Sequence, residues 1–140
     1  MGRKLFCDIS PTTYKISVKK EIMLRHIKNI ISKEKIAKTH SNKELPNIVK
    51  SHSSILIRKL AGVDLRLQEN KVTNIMLACN KINGLIIHPG ETFSYWSTVG
   101  PTEKKYGYKE GLVIGRRGMT SGYGGGLCQM ANMIHWLVLN

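Results

Sequence analysis

Ser121-Gly-Tyr-Gly-Gly-Gly-Leu-Cys128-Gln-Met-Ala-Asn-Met-Ile-His-Trp136 divides into two halves with different physics. In the first, Gly122 and the run Gly124, Gly125, Gly126 give the backbone access to positive φ and let another chain or a ligand approach closely. In the second, Leu127, Met130, Ile134, Leu137 and Val138 recur at i, i+3, i+7, i+10 and i+11, one apolar face of a helix. Cys128 therefore falls in the first turn of a buried helix, directly after a glycine loop. The first-turn N–H groups and the helix dipole favour an anion there, a thiolate included. Cys128 is a candidate nucleophile; it fits equally a packed core cysteine, since cysteine is among the most buried residue types. Gln129 can donate an amide hydrogen to an oxyanion or close the glycine loop by a hydrogen bond.

A cysteine nucleophile needs a base, usually histidine, within hydrogen-bond reach. His135 lies seven residues further on, ~10 Å along the helix at the usual rise, too far to serve. His88 can approach only through the fold. Phosphate chemistry fares worse. Leu127-Cys128 stand where a P-loop needs Lys and Ser or Thr, and no third glycine completes a dinucleotide fingerprint. Arg116 and Arg117 can hold a carboxylate or phosphate at the helix terminus, or form a solvated turn. Glu91, in Pro89-Gly90-Glu91, can act as an acid, orient a histidine, or bond its own turn. No cofactor motif is present.

The bulk properties bound the classes. The 140 residues suffice for one domain, and 41% hydrophobic content is ordinary for a globular protein. Residues 1–60 hold 14 Lys+Arg against 4 Asp+Glu, whereas residues 61–140 hold 8 against 5. That asymmetry suggests a basic face meeting an anionic surface (nucleic acid, phospholipid headgroups or an acidic polymer), or one that is merely solvated. Nucleic acid is disfavoured by 6% aromatic content and the lack of a recognition motif. Cys7, Cys79 and Cys128 are an odd number without short spacing, which argues against a disulfide framework. The five histidines are scattered, so no metal site is expected. Neither a secretory h-region nor an apolar run of spanning length occurs. The expected location is cytoplasmic, at most peripheral on the inner membrane face.

In chain order, Thr12 or Thr13 caps a basic amphipathic helix from Tyr14 to about Lys38, with Ile16, Met23, Ile27, Ile30 and Ile31 on its apolar side. Thr39 to Glu44 reads as a linker. Leu45-Pro46 opens a second helix with Ile48, Val49, Ile55, Leu56 and Leu60 inward, ending at Gly62. Val63–Gln68 alternates like a short strand. Asn70 caps a third helix, its apolar face Val72, Ile75, Met76, Cys79 and Ile82, which makes Cys79 core. Leu85–Ile87 and Thr92–Trp96 form a hairpin around Pro89-Gly90, and Tyr108–Ile114 is a further strand. The fold class is α+β: a basic helical part (1–44), then a domain (45–140) with a small antiparallel sheet packed on the Cys128 helix. That helix stops with apolar residues unburied, so 45–140 reads as the N-terminal portion of a longer, here incomplete, domain.

Gly124-Gly-Gly-Leu-Cys-Gln129 resembles the signature of the VanW-like family. Pro89-Gly-Glu-Thr-Phe-Ser94, Gly100 and Gly107-Tyr108 match further elements of that family in the same order, and the likeness extends from about Leu45 through Gln68-Glu-Asn-Lys-Val-Thr-Asn74. The resemblance implies a glycopeptide-resistance gene set in a Gram-positive bacterium and assigns no reaction. It leaves a cysteine-dependent enzyme acting on a cell-wall peptide or precursor, and a non-catalytic binder of a cell-wall component or anionic surface. Relatives often carry an N-terminal membrane segment; none is read here.

Overall fold

The computed structural model describes residues 5–57, 62, 64–115 and 118–140. They fall into two compact units, residues 1–36 with 89–92, and residues 37–88 with 93–140.

The second unit is built on α2 (Leu65–Ile82). Asp64 is extended, and its carboxylate accepts the Arg66 N–H at 2.9 Å. The helix thus starts five residues before the expected Asn70 cap. The Leu65–Leu67 alternation is helix, because a capping aspartate outweighs a two-residue pattern. Its buried face differs from the expected one by roughly a quarter turn. Gln68, Lys71, Asn74 and Ala78 are buried, with Ile75, Leu77 and Ile82 beside them, whereas Cys79 is exposed.

Two antiparallel pairs belong to this unit. In β3 (Glu110–Gly115) and β4 (Gly118–Tyr123), Glu110 lies opposite Tyr123 and Gly115 opposite Gly118. The Tyr108–Ile114 expectation is met by β3; β4 lies in what the glycines suggest is loop. The start of β3 is tied to α2: Asn70 Nδ2 donates to the Glu110 carbonyl at 2.8 Å, and Asn74 holds Lys109. The hairpin is therefore anchored to α2, where the sequence suggests the Cys128 helix. The other pair joins β1 (Thr39–His40), inside the expected linker, to β2 (Leu85–Ile86).

β2 consequently does not pair with Thr92–Trp96. That stretch instead enters α3 (Tyr95–Val99), because Ser94 Oγ accepts the Ser97 N–H at 3.3 Å. N-capping wins over the β propensity of Phe93, Tyr95 and Trp96. The helix expected from Leu45 is also absent from residues 45–57, where Leu45, Ile48 and Val49 are exposed. Ser51-His-Ser-Ser54 is weak helix sequence, and the apolar side finds no surface to stabilise a short helix. Leu60 lies outside the described residues. The Cys128 helix forms as read: α4 (Leu127–Leu139), with Leu127 and Met130 packed against Ala78, Val99 and Tyr108.

In the first unit, α1 (Pro11–Ile31) has Pro11 at its first position and Ser10 as cap, sharing a capping box with Thr13. It ends before Lys38 because Lys33 is left-handed, φ +51°. None of its residues is buried. The Thr92 N–H meets the Lys35 carbonyl at 2.8 Å, beside an isolated parallel bridge from Ile36 to Thr92.

Candidate active site

The glycine turn is organised by atoms of its own chain. A Cβ on Gly125 would meet the backbone of Gly111 in β3, and one on Gly126 would meet the side chain of Lys71 in α2. Gly126 is also the N-cap of α4, at φ +93°, where a side chain would be strained. Asn74 locks this crossing. It is fully buried and donates from Nδ2 to the carbonyls of Lys109 and Gly125, both at 2.9 Å. Its Oδ1 accepts the Lys109 N–H at 2.8 Å. Three backbone groups from two loops thus end on one α2 side chain.

The turn delivers Cys128 to the second position of α4, exposed, at a helix start that carries no side-chain cap. Beside it opens a cavity of about 450 Å³. Cys128, Gln129, His52, Ser54, Gln68 and Lys71 supply its polar wall, and Leu112, Ile114, Met133 and Trp136 its apolar wall. The His52 ring stacks on Trp136 with centroids 4.2 Å apart, and Lys50 Nζ sits 5.4 Å from the centre of the same indole.

Gln129 spends its amide on this architecture. Its Oε1 accepts from Lys71 Nζ at 3.2 Å, and its Nε2 donates to Ser54 Oγ at 3.2 Å and to the Ile55 carbonyl at 3.1 Å. Both amide protons are used within the chain, so Gln129 positions the irregular segment that carries His52 and is not free to bind an oxyanion. Lys71 is 8% exposed and Gln68 4%. Gln68 Oε1 has no hydrogen-bond partner among the described residues. Such a buried, unanswered acceptor costs about 1–3 kcal/mol.

One further polar group reaches the turn. Tyr95 Oη donates to the Leu127 carbonyl at 3.2 Å. Its phenol is pushed up to about 12, first by burial and then by the charges of Tyr108, Cys128 and Cys79.

Of the residues singled out in the sequence, Cys128, Gln129 and Gly126 meet at the cavity, and Gly124 and Gly125 support the turn. Arg116 and Arg117 lie outside the described residues. Glu91 belongs to the first unit, where Lys35 Nζ pairs with its Oε1 at 3.3 Å. His88 and His135 are absent from the cavity lining, whereas His52 is in it. His52, Gln68, Lys71 and Asn74 escape a reading by apolar periodicity. The available signal was that the resemblance itself runs through Gln68–Asn74, three polar residues on one helical face.

A glycine turn feeding a cysteine into the start of a helix, beside a cavity walled by a polar helix face, defines an α+β domain built around that cysteine. The chain belongs to the VanW-like protein family, whose model matches residues 70–140. It is 41% identical over 104 residues to the vancomycin B-type resistance protein VanW of Enterococcus faecalis (strain ATCC 700802 / V583), covering 74% of this chain and 38% of that protein. It is 34% identical over 61 residues to the uncharacterized protein YoaR of Bacillus subtilis (strain 168), covering 44% of this chain and 20% of that one. The chain thus spans well under half the length of either relative. No solved structure matches it. Among the described residues, no helix is long and apolar enough to cross a membrane.

Proposed function

We propose that this chain takes part in glycopeptide resistance and that its cavity is the site of cysteine-dependent acyl chemistry on a cell-wall peptide or precursor. The observation that carries the reading is the placement of Cys128 at an uncapped helix start, in one cavity with His52 and a buried lysine. Cys128 Sγ attacks the carbonyl carbon of an amide or ester, and its proton passes to His52. The C–N or C–O bond breaks, the leaving amine or alcohol takes that proton, and a thioester remains. Water then releases the acid and restores the thiol. Negative charge on the carbonyl oxygen is met by the Lys71 ammonium and the positive end of the α4 dipole.

The test uses p-nitrophenyl acetate as acyl donor, with mass mapping of acylated cysteines. Cys128 acylates faster than Cys79, which is also exposed, and His52→Ala slows that step by about a hundredfold. Equal rates at Cys128 and Cys79 overturn the reading. For resistance, a Cys128→Ala exchange in the host gene lowers the glycopeptide concentration the cells tolerate; unchanged tolerance refutes that role.

A second reading concerns the first unit. In α1 the apolar residues Ile16, Met23, Ile27, Ile30 and Ile31 are all exposed, and Lys15, Lys19, Lys20, Arg25 and Lys28 accompany them. This combination suits the plane of an anionic lipid surface. Co-sedimentation with phosphatidylglycerol vesicles then falls steeply with salt, and Ile27→Asp abolishes it. Salt-independent binding, or none at low ionic strength, removes this reading.

A further inference from the structure

Residues 50–55 form neither helix nor strand and are exposed, yet they lie along α4 in a definite register. Lys50, His52 and Ser54 recur at the period of an extended chain, in which alternate side chains share one face. All three meet α4: Lys50 and His52 at the Trp136 indole, and Ser54 at Gln129. The spans of the two segments agree. Gln129 to Trp136 is ~10 Å along a helix at 1.5 Å per residue, and His52 to Ile55 is ~10 Å in an extended chain. Since Ile55 is held at Gln129 and His52 at Trp136, residues 52–55 run antiparallel to α4.

We propose that Trp136 is a positioning residue, which sets where the His52 imidazole stands against Cys128; this rests on the reading of His52 as the base for that thiol. Trp136 is eight residues beyond Cys128, ~12 Å along the helix axis. Long side chains on a helix lean towards its N-terminus, however, and the indole lines the same cavity as Cys128. It therefore carries the imidazole back towards the sulfur. The stack, with centroids 4.2 Å apart and planes at 27°, fixes the plane of the imidazole. Gln129 fixes the backbone that follows it, through the Ile55 carbonyl and Ser54 Oγ. A base on a segment without ladder hydrogen bonds depends on such side-chain fastenings, because a misplacement of about 1 Å costs on the order of a hundredfold in rate.

The test follows acylation of Cys128 by p-nitrophenyl acetate in the unaltered whole chain, in Trp136→Ala, in His52→Ala and in the double variant. Trp136→Ala slows the step at least about tenfold, and Trp136→Phe, which keeps a ring face, restores most of the rate. In the His52→Ala background Trp136→Ala has no further effect, because the indole acts only through the imidazole. Equal slowing in both backgrounds marks a merely structural indole and overturns the proposal. Trp136 is 40% exposed and lies outside the buried cluster, so its loss opens no core cavity. The geometry is read apart from the chemistry. In the NMR spectrum the His52 ring protons, assigned by their loss in His52→Ala, are shifted upfield by the indole and return to ordinary positions in Trp136→Ala. Unshifted signals in the unaltered chain overturn the proposal whatever the rates. Shifted signals with equal acylation of Cys128 and Cys79 overturn the reading of the site, and the positioning role with it, while the stack stands.

Discussion

Tyr95 connects the core to the reactive turn through one hydrogen bond, its phenol donating to the carbonyl that precedes Cys128. Because burial raises its pKa from 10 to about 12, the folded chain favours the protonated phenol. The stability this group contributes is complete below pH 10 and is lost as the pH rises through about 12. In an alkaline titration followed by phenolate absorbance, Tyr95 titrates in this late step, and Tyr95→Phe removes it. Asn74 is the other residue on which the turn depends. Asn74→Ala leaves two carbonyls and one N–H without their partner, a loss of roughly 2–4 kcal/mol in urea unfolding. Cys128 itself was legible from sequence, since a glycine run followed by apolar residues at helical spacing is a local pattern. Its neighbours were not. Gln68, Lys71 and Asn74 look like a solvated face, and only the turn and hairpin packed over them turn that face inward.

At the scale of elements, the same competition recurs. α4 begins where its periodicity begins, because Gly126 and the apolar stripe agree. α2 begins earlier than its stripe, because Asp64 caps it. The Thr92–Trp96 strand and the Leu45 helix fail for opposite reasons: one meets a strong cap, the other lacks a surface. The crossing of the glycine turn over β3 is the least tolerant contact between elements. Gly125→Ala places a methyl group in the Gly111 backbone and costs about 3 kcal/mol or more, seen as a lower unfolding midpoint. Gly90→Ala, whose Cβ would meet nothing within 4 Å, costs less, with only its φ of +79° against it.

For the whole molecule, the two units differ in what sustains them. α2 carries four buried residues and the hydrogen bonds of Asn70 and Asn74, whereas α1 has no buried residue and rests on its capping box and helix propensity. Amide hydrogen exchange is accordingly slower around Asn74–Ala78 than anywhere in α1, by about a hundredfold or more. Similar protection in both helices would mean that α1 is held by contacts beyond its own turns. The sequence by itself determined the α+β class, the family, and the position of Cys128 at a helix start. Each rests on composition or on residues close together in the chain. The identity of the cavity was decided only in three dimensions. His52, Gln68, Lys71 and Cys128 are brought together by a crossing that two glycines permit and one buried asparagine holds. Apolar periodicity reports which side of a helix avoids water, and cannot report a polar side covered by another part of the chain.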